Sequence, residues 1–135
     1  MSARPNGPIN DEIFPPGRVV VVGNTGWGNT IASLFARNER DTWLVTRSSW
    51  ESQNLRESGI EYQCTEMPET ALDGARIVVW AVPSQTMRAN VSAVAHLLPV
   101  GACHMSVSKG LEVDTGLRMT QIIEDLFRKS IGSGE

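Results

Sequence analysis

The stretch 18-RVVVVGNTGWGNT-30 decides how the rest of the chain reads. Four valines run without a polar interruption into a glycine cluster, and a stretch of helical periodicity follows at once. A continuous β-branched run suits a strand buried on both faces. A glycine-rich turn leading from it into a helix gathers free backbone N–H groups at the positive end of the helix dipole, a place that favours phosphate. The spacing departs from the G-x-G-x-x-G of dinucleotide-binding turns. Gly23 and Gly28 hold the first and third positions, the second is Thr25, and a further glycine, Gly26, follows one residue late. Gly23 is expected to permit the tight turn, and Gly28 to let a helix beginning near Asn29 approach the strand. A Cβ at Thr25 crowds the point where a pyrophosphate comes nearest the backbone. Gly26 can relieve that by moving the closest approach along by one residue, and the threonine hydroxyl is a candidate donor to a phosphate oxygen. Glycine turns also arise for steric reasons with no ligand; the order strand, loop, helix favours the binding reading.

Outward from this turn, short β-branched runs alternate with longer stretches of helical periodicity, as in stacked βα units. The predicted class is α/β, with a Rossmann-like, doubly wound, mostly parallel sheet. Strands are expected at 18–22, 42–46, 60–64, 77–82 and 102–106. Between them Ile31, Leu34 and Phe35 share one helical face, and Met87, Val91, Val94, Ala95 and Leu98 continue another over 87–98. Ser49 to Ser58 reads as a helix stopped by Gly59, and 69–74 as a short helical turn. A last helix over 120–129 carries Ile122, Ile123, Leu126 and Phe127 along one side. Residues 1–17 hold four prolines, two glycines and little apolar content, and are expected to form a mobile leader. One dinucleotide-binding domain is expected over 18–131.

At 135 residues the chain is one domain's worth, able to bury roughly 68–70% of its unfolded surface. Its 12 basic and 15 acidic residues give a net charge of -3, so no basic face announces nucleic acid or an anionic membrane. Small molecules or protein are the expected partners. The longest apolar runs fall far short of the ~20 residues of a membrane span, and the N-terminus lacks the apolar core of a secretory signal. Cytoplasmic localisation is expected. Cys64 and Cys103 form no C-x-x-C pair and are expected to be free buried thiols. Cys103 and His104 leave a strand on opposite faces, so no metal site is expected; both are read as core residues, as is His96 on its helix. The only tyrosine, Tyr62, has Glu66 four residues on, which excludes the Tyr-x-x-x-Lys pair of short-chain dehydrogenases.

The residue closing the second strand of a dinucleotide fold selects the ribose: an acid bonds a free 2′-hydroxyl, and an arginine accommodates a 2′-phosphate. Here 42-TWLVTRSS-49 puts Arg47 at the tip, with no carboxylate in the stretch. Its planar fork suits phosphate, so NADPH is expected over NADH. A solvated arginine is the ordinary alternative at a strand end.

Four motifs together, V-G-x-x-x-W-G at 22–28, L-V-T-R at 44–47, W-A-V-P-S-Q at 80–85 and S-K-G-L-E…T-G at 108–116, resemble the N-terminal half of NAD(P)-dependent glycerol-3-phosphate dehydrogenases. The resemblance covers about residues 18–130. It implies a cofactor, NAD or NADP, lying against Gly26 and Trp27, with Arg47 at its adenosine end and Val82, Pro83 and Ser84 bordering the nicotinamide. Lys109 is implied to reach both the cofactor and the phosphate of glycerol 3-phosphate. The implied reaction is hydride transfer between NAD(P)H and dihydroxyacetone phosphate. The family also has a helical C-terminal domain that supplies the lysine general base, and on this reading the chain ends before it, leaving its own catalytic residue unknown. An alternative of another class is a non-catalytic nucleotide-binding module or decayed remnant. A cofactor domain without its partner is expected to expose apolar surface around Leu117–Phe127 and to self-associate.

Overall fold

The central strand is β1 (Arg18–Val22), and its valines explain why. The computed structural model describes residues 16–132, so the expected leader lies outside the described residues except for Pro16 and Gly17. Val19, Val20 and Val21 are wholly buried and Val22 nearly so, and alternate side chains leave for opposite faces. Val19 and Val21 join Leu44, Ile77 and Val79 beneath α1 (Gly26–Arg37) and α2 (Ser49–Glu57), against Ile31, Phe35 and Leu55. Val20 and Val22 join Val78 and Trp80 beneath α3 (Pro68–Leu72), α4 (Met87–Val94) and α5 (Met119–Gly132). A strand that is apolar at every position needs two covering layers, and the chain builds both.

The other strands are β2 (Thr42–Val45), β3 (Gln63–Thr65), β4 (Ala75–Trp80) and β5 (Cys103–Ser106). Their order is β3-β2-β1-β4-β5, and all four pairings between these strands are parallel. From β1 the chain steps outward to β2 and β3, returns to lay β4 against the other side of β1, and steps outward again to β5. The direction reverses between β1 and β4, and the crevice beyond the carboxyl ends of such strands is where open α/β sheets take ligands.

Several boundaries differ from expectation. Helix α1 begins at Gly26 rather than near Asn29, because Thr25 caps it. The third strand begins at Gln63, not 60: Gly59 takes φ +80° past α2, and the pairing with Trp43 starts only after Tyr62. The fourth runs 75–80, and Pro83 beyond it has no N–H with which to extend a ladder. The helix expected over 87–98 is α4 flanked by two short 3-10 turns, Ser84–Thr86 and Ala95–Leu97. Cys64 is buried, but Cys103 is exposed at the start of the edge strand, and His96 is exposed as well. His104 is half-buried, stacked on Trp80 and tilted against Phe127. Leu117, Leu126 and Phe127 pack on the core, so the apolar surface expected at Leu117–Phe127 is largely covered. Among the described residues no helix is long and apolar enough to cross a membrane, and no cluster of acidic, histidine or cysteine side chains could hold a metal.

Leu44 is fully buried and Val113 is 80% exposed. In urea denaturation, Leu44→Ala is expected to cost about 2–5 kcal/mol through its lost packing and cavity, and Val113→Ala to stay within about 0.5 kcal/mol.

Candidate functional site

Gly23 leaves β1 at φ +125°, and a Cβ on it would stand 2.3 Å from the carbonyl oxygen of Ala81, just beyond β4. Gly28 is constrained in the same way, since a Cβ there would meet the Gly23 carbonyl oxygen at 2.2 Å. Thr25 ties the turn together: its Oγ1 accepts from the Gly28 amide at 3.1 Å and donates to the Ala81 carbonyl at 2.9 Å. The hydroxyl hydrogen is committed to Ala81, so the donation to phosphate expected from the sequence is not available in this arrangement. Gly26 is different. A Cβ on it would meet nothing within 4 Å, and the residue is already helical, so no demand of the fold explains a glycine there. Among the described residues the amides of Gly26 and Trp27 meet no acceptor. They are the leading N–H groups of α1, where the helix dipole favours an anion. Trp27 is 69% exposed, so packing does not account for it.

A cleft of about 490 Å³ opens at the ends of β1, β2 and β4. It brings together Gly23, Thr25, Arg47, Val82 and Pro83, with Asn24, Thr46, Glu66 and Asn90 among its polar lining. Gly26, Trp27 and Gly28 continue from Thr25 into the first turn of α1, and Ser84 opens the 3-10 turn after Pro83. Lys109 does not line this cleft. It is exposed on the loop after β5, where its neighbours Ser108 and Gly110 line a second depression of about 350 Å³, and it makes no ion pair among the described residues.

The loops beyond β4 and β5 are laced to each other. The Ser108 hydroxyl donates to the Val82 carbonyl, and Gln85 donates through Nε2 to the Leu111 carbonyl while its Oε1 accepts from the Val113 amide. Arg88 on α4 reaches both oxygens of Glu112 at 2.9 Å, and the Thr115 hydroxyl adds a bond at 2.6 Å. The bonds from Arg88, then Thr115, hold the Glu112 carboxyl below the usual glutamate range. Gln85 and Glu112, read from the sequence only as motif letters, thus fix the loop that carries Lys109.

The tip of β2 holds a carboxylate that sequence reasoning missed. Glu51, in the first turn of α2, accepts from Asn24 Nδ2 at 3.1 Å and from Arg47 Nε at 3.2 Å. The Asn24 bond is the main cause holding its carboxyl below the ordinary range. Ser48 caps α2 by accepting from the Glu51 amide, so 48-SSWE-51 is an S-x-x-E capping pattern, the signal that could have pointed to Glu51. Arg47 itself is 89% exposed in its side chain, while that of Glu51 is only 14% exposed.

Residues 18–133 match the family described as NAD-dependent glycerol-3-phosphate dehydrogenase N-terminus. A glycerol-3-phosphate dehydrogenase (NAD(P)+) of Corynebacterium urealyticum is 33% identical over 121 residues, covering 81% of this chain and 36% of the relative. One from Dehalococcoides mccartyi is 37% identical over 121 residues, covering 80% of this chain and 34% of the relative. The chain therefore spans about a third of the length of these relatives. Among solved structures, the fold resembles glycerol-3-phosphate dehydrogenase from Coxiella burnetii with a TM-score of 0.75 at 14% identity, over 83% of this chain and 38% of that one. The Saccharomyces cerevisiae enzyme gives 0.68 at 20% identity, over 83% and 40%.

Two outcomes follow from these contacts. Thr25→Val should cost about 0.5–2 kcal/mol in urea denaturation by removing the cap and the tie to Ala81, and Thr25→Ser should retain most of it. Glu112 is more acidic folded than unfolded, so its contribution is complete above the unfolded value near ~4.3 and is lost as pH falls through the depressed folded value. Amide protection factors across 111–118 are expected to drop in that acid window and to hold steady near neutrality.

Proposed function

The chain belongs to the NAD-dependent glycerol-3-phosphate dehydrogenase N-terminal family, and on that premise we propose that its cleft binds a nicotinamide dinucleotide for hydride transfer between dihydroxyacetone phosphate and sn-glycerol 3-phosphate. The observation that carries this reading is Gly26. A glycine kept where a side chain would fit freely, beside two amides with no acceptor, is accounted for by a ligand that approaches the backbone. The pyrophosphate is assigned to the Gly26 and Trp27 amides at the positive end of α1. Thr25, spent on Ala81 and Gly28, shapes the turn without serving as a phosphate donor.

Arg47 is assigned to the adenosine end, where its guanidinium supports NADPH over NADH. Val82, Pro83 and Ser84, beyond β4, border the nicotinamide, which supplies the hydride when bound. Lys109 is assigned to the substrate phosphate, with the cofactor within its reach; its ammonium is exposed at the same edge of the sheet. Binding and orientation are assigned to this span, and no general base is assigned among its residues.

Calorimetric titration with NADPH and NADH tests the reading. NADPH is expected to bind the tighter, and Arg47→Ala to lose about ten- to a hundredfold in NADPH affinity with little change for NADH. Gly26→Val should abolish binding of both while leaving thermal stability at or above that of the parent chain, because its Cβ meets no protein atom. Binding of neither cofactor by the parent chain overturns the proposal.

A further inference from the structure

A chain of side-chain hydrogen bonds runs from the interior to the tip of β2. The Tyr62 hydroxyl, on a residue only 5% exposed, donates to Asn29 Oδ1. Asn29 Nδ2 donates to Asn24 Oδ1 at 2.9 Å and to the Thr25 carbonyl at 2.8 Å. Asn24 Nδ2 then donates to Glu51 Oε1, and Arg47 Nε to Glu51 Oε2. The direction is set by the two groups that can only accept. The Glu51 carboxylate takes the Asn24 nitrogen, which turns the Asn24 oxygen toward Asn29; that oxygen and the Thr25 carbonyl both take the Asn29 nitrogen, which leaves the Asn29 oxygen for the Tyr62 hydroxyl. Burial pushes the Tyr62 hydroxyl up from its ordinary value, which favours the protonated, donating form.

The end of this relay is a sheltered carboxylate fixed beside an exposed guanidinium at the place where a dinucleotide fold reads the ribose. The two groups favour opposite ligands. A carboxylate accepts from a ribose 2′-hydroxyl and repels a 2′-phosphate, whereas a guanidinium attracts the phosphate. We propose that Glu51, positioned by Asn24, sets how far the cleft discriminates between the two dinucleotides, accepting the 2′-hydroxyl of NADH and opposing the 2′-phosphate of NADPH. This rests on the dinucleotide reading of the cleft. Arg47 supports NADPH, and Glu51 limits that preference in two ways. It occupies Arg47 Nε, and it keeps a negative charge beside the phosphate site. Being 14% exposed and held by Asn24, it is not free to swing into solvent when the phosphate arrives.

Glu51→Gln separates the charge from the shape, because glutamine keeps an acceptor oxygen and nearly the same volume. Its affinities for NADH and NADPH are compared with those of the parent chain by calorimetry. Adenosine 5′-monophosphate and adenosine 2′,5′-bisphosphate serve as probes of the adenosine end alone. The ratio of NADPH to NADH affinity is expected to rise on the order of tenfold, with the two adenosine probes moving alike. Asn24→Ala, which frees Glu51 without removing its charge, should raise the ratio by less, and Tyr62→Phe should move it in the same direction. A role confined to capping or packing would weaken both cofactors together. A Glu51→Gln protein that binds both with an unchanged ratio overturns the assignment of Glu51 and leaves the dinucleotide reading intact. A parent chain that binds neither overturns both.

Discussion

The Ala81 carbonyl is the point on which the site depends. Two strand ends meet there: Gly23 passes so close that only a hydrogen fits, and Thr25 donates its hydroxyl proton to the same oxygen. Ala81 in turn donates its amide to Val22, so the ends of β1 and β4 are joined from both sides. The same threonine oxygen caps α1 through Gly28. Removing any of these would loosen the others, since the helix start, the turn and the neighbouring strand end share two atoms. A turn fixed in this way can present bare amides at a constant place without the backbone reorganising to receive a ligand, which lowers the entropic cost of binding.

The surrounding structure extends that rigidity outward by separate devices on its two sides. Toward β2 the relay from Tyr62 through Asn29 and Asn24 reaches Glu51 and Arg47. Toward β5 the ties of Ser108 to Val82, Gln85 to the 111–113 backbone and Arg88 to Glu112 hold the next loop. The first is partly buried and has no formal charge until its last step, so salt screens it little along most of its length. The second ends on an ion pair whose carboxylate is sheltered, and acid releases it.

The fold was legible because its signals are redundant. Four consecutive valines, the unbroken apolar run IVVWAV at 77–82 and the helical faces of Ile31 to Phe35 and Ile122 to Phe127 all require a sheet covered on both sides, and a slip of a residue or two leaves that requirement intact. Boundaries were less legible where one capping bond decides them. Thr25 starts α1 early, and Gly59 with Tyr62 delays β3. Cys103 and His96 were misjudged for a related reason: both sit at the ends of elements, where periodicity no longer says which side faces solvent. Around the site, the sequence could place residues at strand ends, because topology alone brings those ends together. It could not show which of them line one cleft, and Lys109 stands apart from it.

Glu51 was overlooked for a more instructive reason. The rule that an acid at the second strand's tip reads the ribose counts along the chain, and along the chain the tip is Arg47 with no carboxylate anywhere in 42–49. In space the first turn of α2 brings Glu51, four positions on, to 3.2 Å from the Arg47 guanidinium at that tip. The i,i+4 geometry of a helix start makes this a general source of error. An exposed i,i+4 pair is ordinarily worth little and signifies less. Here the third partner changes its meaning: Asn24 comes from the glycine turn itself, so the charge at the ribose end and the amides at the phosphate end are positioned by one network. Under the proposed dinucleotide reading, a change in the turn is therefore felt at the ribose, and cofactor choice and cofactor grip are coupled in this cleft.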